Sequence, residues 1–326
     1  MTPEKTSQAQ GEEGTEGAAP PRKPRSKVRR ARRAEGPGAG RDPRAPFNLR
    51  ELARGAVWLV GIAAAVQVID FFIGQSPLAA AVVGVVVVEL ATSRGGLLWS
   101  RPAPRVISAA VSSDDPPGSR RSLDDQPDKE DAHRAQRVLR SLGLGAAVGL
   151  VAAAGAVVVA IFLGFASIEA GGPSGALVWA LIKVAAIATR DELLLRGWIL
   201  HTAERAGLSP RMGVAFAALA GGASIALLPG AEPASIALAV AAGWVAATLW
   251  IRTGTAWAAI GVHAGWALFS GVGIRGGLVD VTFASGALGE GAKASGAPAW
   301  IAAVVFSVMA LAAGRLVKRA ATPRAA

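Results

Sequence analysis

Residues 174–199 read SGALVWALIKVAAIATRDELLLRGWI, an apolar stretch that carries the charged run Asp191-Glu192-Leu193-Leu194-Leu195-Arg196-Gly197 near its end. About 20 apolar residues in a helix cross the hydrocarbon core of a bilayer. A charged side chain at such depth costs about 3 kcal/mol on insertion scales and is usually kept where it lines a cavity and acts chemically. The stretch therefore predicts a membrane-spanning helix with a functional site in it.

The composition of the whole chain predicts an all-α, polytopic membrane protein. Hydrophobic residues make up 52% of the sequence, and 40 of the 326 residues are glycine. There is no cysteine, which excludes disulfides, thiolate metal ligands and a cysteine nucleophile. Hydropathy predicts about eight transmembrane helices within a membrane domain over 49–320. The predicted spans are 55–74, 77–99, 142–165, 174–199, 211–228, 234–251, 255–272 and 298–316.

Positive charge lies mainly on one side of these spans. The segment 1–48, the 100–140 loop and the C-terminal segment hold most of the Lys and Arg residues. Such loops face the cytoplasm, so we expect a multi-pass protein of the inner cell membrane with both termini cytoplasmic. Asp70 lies close enough to the outer boundary to reach water.

Three segments have the composition of solvated chain. We expect 1–48 to be a disordered basic cytoplasmic tail, 100–140 a cytoplasmic linker loop and 321–326 a short C-terminal tail. The basic run in the first tail favours contact with anionic lipid headgroups. No specific nucleic acid binding is expected, because no aromatic residues interleave the run and no nucleic-acid-binding motif accompanies it.

Two charged helix segments carry the candidate site. Glu192 and Arg196 are four residues apart and share a helix face, whereas Asp191 lies about 100° round the helix. Farther on, RTGTAWAAIGVHAGW at 252–266 places His263 in the middle of a span. Two alternatives stay open from the residues alone: an ion-paired cluster near the headgroups with a packed histidine, or a functional site.

Together these segments resemble the CPBP family, which includes the CAAX-type and Abi-type intramembrane proteases and the type II CAAX prenyl endopeptidases. The family has three motifs, Glu-Glu-x-x-x-Arg, Phe-x-x-x-His and His-x-x-x-Asn, and the resemblance covers about 174–270. Asp191, Glu192 and Arg196 fall on the first motif, and His263 falls on the histidine of the third. The resemblance implies a helical membrane bundle in which the first carboxylate and the second-motif His activate water, while the third motif stabilises the oxyanion.

The chain departs from this pattern at two positions. Pro229 stands where the second-motif His belongs, and Ala267 stands where the third-motif Asn belongs. The resemblance therefore implies either an intramembrane endopeptidase of weakened activity, acting on a membrane-presented peptide or CAAX-type C-terminus, or a non-catalytic pseudoprotease with a binding, scaffold or immunity role. Asp191, Glu192, Arg196 and His263 are the candidate catalytic residues. No cofactor is required by the sequence, and a metal ion at the Glu and His residues stays an open alternative.

The orientation of the chain is testable by cysteine labelling, because the chain has no cysteine of its own. We expect a membrane-impermeant thiol reagent to label Gly172→Cys and Ala231→Cys in intact cells and to leave Ser122→Cys unlabelled, since Lys and Arg hold the 100–140 loop in the cytoplasm. The reverse labelling pattern would contradict the predicted topology.

Overall fold

Helices form nearly all of the described chain, because a helix pairs its backbone polar groups internally where no water is present. The computed structural model describes residues 47–97, 99, 127–172, 175–289 and 293–320. The predicted tails therefore lie outside the described residues, apart from Phe47 and Asn48, and so does the linker up to residue 126. The helices are α1 (Leu49–Ile73), α2 (Pro77–Arg94), α3 (Pro127–Phe162), α4 (Ala176–Glu192), α5 (Ile199–Arg205), α6 (Pro210–Ala226), α7 (Pro233–Thr253), α8 (Ala256–Leu268) and α9 (Gly296–Ala320).

Each predicted span coincides with a helix, and the all-α class is confirmed. Among the described residues, five helical segments are long and apolar enough to cross a membrane: Leu49–Ile73, Pro77–Arg94, His133–Phe162, Pro233–Thr253 and Gly296–Ala313. The protein is therefore a multi-pass membrane protein. The remaining predicted spans coincide with shorter helices, since α4 and α6 have 17 residues each and α8 has 13. The number eight stays a prediction.

The helix that carries the first motif is longer than the sequence predicts. A π-helical turn, Leu193–Trp198, joins α4 directly to α5, so the helix runs without a break over 176–205; we call it the motif helix. At a rise of about 1.5 Å per residue it is about 45 Å long, with Asp191 and Glu192 near its middle. A cluster near the headgroups would require the carboxylates to lie at a helix end. They lie near the middle of the helix instead.

Two local elements differ from the prediction. Helix α3 begins at Pro127, inside the predicted 100–140 linker, because proline suits the first helical position and the residues that follow are mostly good helix formers. A two-stranded antiparallel sheet is also present, with β1 (Ala166–Ala170) paired to β2 (Val279–Phe283). These strands follow α3 and α8, so the ends of both helices lie together.

One end of the bundle holds the start of α1, the end of α5 and the start of α8, and we call it the termini face. The Asn48 backbone N–H donates to the Ala206 carbonyl at 3.0 Å, which ties the start of α1 to the end of α5. The Ala256 N–H donates to the Trp99 carbonyl at 2.7 Å, which ties the start of α8 to the chain after α2.

The opposite end holds the α1–α2 turn, the β1–β2 sheet and the α6–α7 turn, and we call it the hairpin face. The Gly296 N–H donates to Glu232 Oε2 at 2.9 Å. This bond places the start of α9 beside the start of α7, so the described residues of the loop before α9, 284–289 and 293–295, also lie on this face.

Helices α3 and α8 run parallel with their backbones in contact. Gly145 and Gly149 of α3 face the backbone of α8, and Gly261 and Gly265 of α8 face the backbone of α3. Each pair has the small-x-x-x-small spacing by which membrane helices approach closely. This contact fixes the position of α8, and with it the position of His263.

We predict that Gly149→Ala destabilises the protein by about 1–3 kcal/mol, the usual effect of overpacking. A methyl group at Gly149 would overlap the Val262 carbonyl, which is rigid backbone. Gly143→Ala is the matched control, because nothing lies within 4 Å of its added methyl group. Thermal unfolding in detergent should show a lower midpoint for the Gly149 variant only, and equal midpoints would contradict the backbone contact.

Candidate functional site

Glu192 is the centre of the site and is almost completely buried, with 1% of its surface exposed. Its Oε1 accepts a hydrogen bond from His263 Nδ1 at 3.1 Å and forms an ion pair with Arg196 Nη1, also at 3.1 Å. Its Oε2 is buried and makes no hydrogen bond to any described residue. One oxygen therefore contacts two partners, and the other has none among the described residues.

His263 reaches Glu192 because of how α8 packs. The two glycines that contact α3 lie two residues before and two residues after His263, so the imidazole projects from another side of α8 toward the motif helix. An ionised carboxylate is only an acceptor, so the hydrogen on Nδ1 is donated to Glu192. The structure thus brings together residues that are 71 positions apart in the sequence.

Arg196 lies in a pocket made by two glycines. An added methyl group at Gly221 of α6 would come 3.0 Å from Arg196 Nη2, and one at Gly243 of α7 would come 2.9 Å from it. The guanidinium is 8% exposed, so it lies deep between the motif helix, α6 and α7. Its charge compensates Glu192, which would otherwise be an isolated buried ion.

Asp191 belongs to a different ion-pair network. Arg190 Nε donates to Asp191 Oδ1 at 2.8 Å, and Arg190 Nη1 lies 3.3 Å from Asp70 Oδ2 on α1. On α2, Gly84 leaves room for the Arg190 side chain, since an added methyl group would come 2.8 Å from its Cδ. Asp70 and Arg190 were not predicted as members of the site. Their charges inside predicted spans were the signal that could have indicated them.

A cavity of about 820 Å³ connects both networks. Asp191, Glu192, Arg196 and His263, the four predicted site residues, all line it. Its walls are largely apolar, and these wall residues include Ile187, Leu195, Ile225, Leu228, Leu238, Ala242, Trp266 and Phe306. The cavity can therefore hold an apolar chain against a charged floor.

The two departures from the family motifs lie differently in the structure. Pro229 lines the cavity, so a histidine at that position would face the charged groups. Ala267 is 2% exposed and buried in α8. His201 lies elsewhere, with its Nε2 3.2 Å from the Gly95 carbonyl in a separate small pocket. It does not replace the missing imidazole.

Metal binding was left open by the sequence. In the part of the chain that the structure describes, no group of three or more His, Asp or Glu side chains is arranged to hold a metal ion. The Glu192–His263 pair supplies two ligands of the kind that transition metals accept.

Residues 173–269 match the family model of the Rce1-like type II CAAX prenyl endopeptidases. The match spans the motif helix, α6, α7 and α8, and so contains all four predicted site residues. The match confirms, over this segment, the resemblance to a family of CAAX-type intramembrane proteases that the motifs indicate. No curated protein and no solved structure matches the chain.

We predict that Glu192 and Arg196 stabilise the fold as a pair. Glu192→Gln and Arg196→Gln should each destabilise the protein by about 3–5 kcal/mol, because each leaves a buried charge without its partner. The double variant should lose less than the sum of the single losses, as measured by unfolding in detergent.

The matched control is the exposed Glu51–Arg205 ion pair, whose charged atoms lie 2.9 Å apart. The same glutamine substitutions there should change stability by about 0–1 kcal/mol. Strictly additive losses at Glu192 and Arg196 would contradict their coupling.

Proposed function

We propose that the protein is an intramembrane endopeptidase of low activity that cleaves a membrane-presented peptide or CAAX-type C-terminus. The observation that carries the proposal is the buried carboxylate of Glu192: its Oε2 has no hydrogen-bond partner among the described residues, and Glu192 is one of the residues that line the cavity. Buried polar groups are normally paired, and the exceptions often have a catalytic role. Glu192 also lies within the segment that matches the Rce1-like type II CAAX prenyl endopeptidase model, which supports a role in peptide hydrolysis.

The charged groups of the site lie around one cavity. Asp70, Asp191 and Glu192 supply three carboxylates, and Arg190 and Arg196 supply two guanidinium groups. A carboxylate within reach of a bound water can act as a general base toward that water.

The reaction follows from this arrangement. Glu192 takes a proton from water, and the hydroxide attacks the carbonyl carbon of the scissile peptide bond. The tetrahedral intermediate collapses as the C–N bond breaks, and the proton on Glu192 passes to the leaving amine. Arg196 and His263 hold Glu192 in place through its Oε1.

Asp191 is the second carboxylate of the proposal. The family resemblance implies that the first carboxylate of the motif activates water, and here Asp191 is bound by Arg190 and faces the same cavity. Glu192 differs in that its Oε2 is buried without a hydrogen-bond partner among the described residues. We therefore assign the main proton transfer to Glu192 and a positioning role to Asp191.

Turnover of apolar peptides by the protein in lipid nanodiscs tests the proposal. Glu192→Gln should lower the rate by about 10²–10⁴-fold, as expected for loss of a general base, and Asp191→Asn should lower it less. Glu89→Gln is the matched control: Glu89 accepts from Trp99 Nε1 and does not line the cavity. Unchanged turnover in Glu192→Gln would contradict the assignment.

A pseudoprotease is the second candidate, and Pro229 is the observation that favours it. At the position of the second-motif His the cavity wall carries a proline, so no imidazole at that position assists Asp191. In that case the cavity binds an apolar peptide without cleaving it. Pro229→His with Ala267→Asn and Asp191→Glu should then create turnover beyond that of each single change, because residues that act as a unit have non-additive effects.

A further inference from the structure

The mouth of the cavity is defined by loops of the hairpin face. Leu228 and Pro229 come from the α6–α7 turn, and Gly289 and Lys293 come from the loop before α9. Asp70, three residues before the end of α1, also lines the cavity. These residues belong to two connections and to the last turn of α1, which all lie on the same end of the bundle.

The opposite end of the cavity is closed within the described part of the chain. None of the described residues in the connections at the termini face, Gly95–Leu97, Ala206–Ser209 and Gly254–Thr255, lines the cavity. The lining residue of α7 nearest to that face is Ala246, seven residues before the end of the helix and thus about 10 Å inside it. Between Ala246 and the termini face, Leu249 and Trp250 of α7 and Ala256 of α8 are all buried.

We propose that the substrate enters this cavity from the hairpin face, opposite the termini face. In the orientation that the Lys and Arg residues predict, this is the extracytoplasmic side. The inference rests on the proposed function and narrows it: the substrate is an apolar peptide end presented outside the cytoplasm, and a C-terminus presented in the cytosol would meet the closed end.

The shape and polarity of the path suit such a peptide. A peptide entering past Leu228 and Pro229 meets apolar side chains of α7 and α9 before its backbone reaches Glu192 and His263. Apolar walls stabilise side chains by burial, and the charged floor is the place where a peptide carbonyl finds donors. The apolar side chains of α7 and α9 and the groups that can bind a peptide carbonyl thus line one cavity.

Cysteine accessibility tests the direction of access without requiring catalysis. Ala242→Cys places a thiol on the cavity wall, Ala231→Cys marks the hairpin face, and Arg211→Cys marks the termini face. Each variant is treated with a charged, membrane-impermeant maleimide in right-side-out and in inverted vesicles. Ala247→Cys is the matched control on α7, because Ala247 is fully buried outside the cavity and should react from neither side.

We expect Ala242→Cys to react roughly tenfold faster from the side on which Ala231→Cys reacts, because a charged reagent does not cross hydrocarbon. Faster reaction from the side of Arg211→Cys would overturn the proposal. Equal reaction from both sides, or reaction from neither, would overturn it as well. Labelling from the hairpin face without any peptide turnover would instead reject the proposed function and leave the direction of access standing.

Discussion

The buried ion pair of Glu192 and Arg196 is the constraint on which the rest of the site depends. A carboxylate that is 1% exposed in the middle of a long membrane helix is stable only with a compensating charge and with donors on its oxygens. Arg196 supplies the compensating charge, and His263 supplies a hydrogen-bond donor to the same oxygen, Oε1. The positions of α6, α7 and α8 follow from this, since all three must leave room for these two side chains.

Small residues make that arrangement sterically feasible. Gly221 and Gly243 leave space for the Arg196 guanidinium, and Gly84 does the same for Arg190. The glycine pairs on α3 and α8 bring His263 within hydrogen-bond distance of the motif helix. In a bilayer, burial of apolar side chains between helices gains little over contact with lipid, so close backbone contact and polar bonds carry the association. These glycines are therefore part of the architecture of the candidate site.

The helices and the Glu192–Arg196 contact were predictable from the sequence, because both depend on residues that are close together along the chain. Long apolar runs marked the helices, and the Glu192–Arg196 spacing predicted their contact. The resemblance to known motifs predicted that His263 joins them. The bond between Arg190 and Asp70 was not predictable, since its partners are 120 residues apart and neither lies in a motif. The β1–β2 sheet and the π-helical turn depend on tertiary packing, and short segments such as 279–283 carry too weak a pattern to indicate a strand.

An electron cryomicroscopy map of the protein in a lipid nanodisc, at a resolution that shows ordered water, would test the central claim most directly. The account predicts that Glu192 lies between Arg196 and His263, with a water molecule bound to Oε2 inside the cavity. A map in which Glu192 points away from the cavity, or in which His263 binds Asp191 and Glu192 Oε2 is bonded to protein, would contradict it.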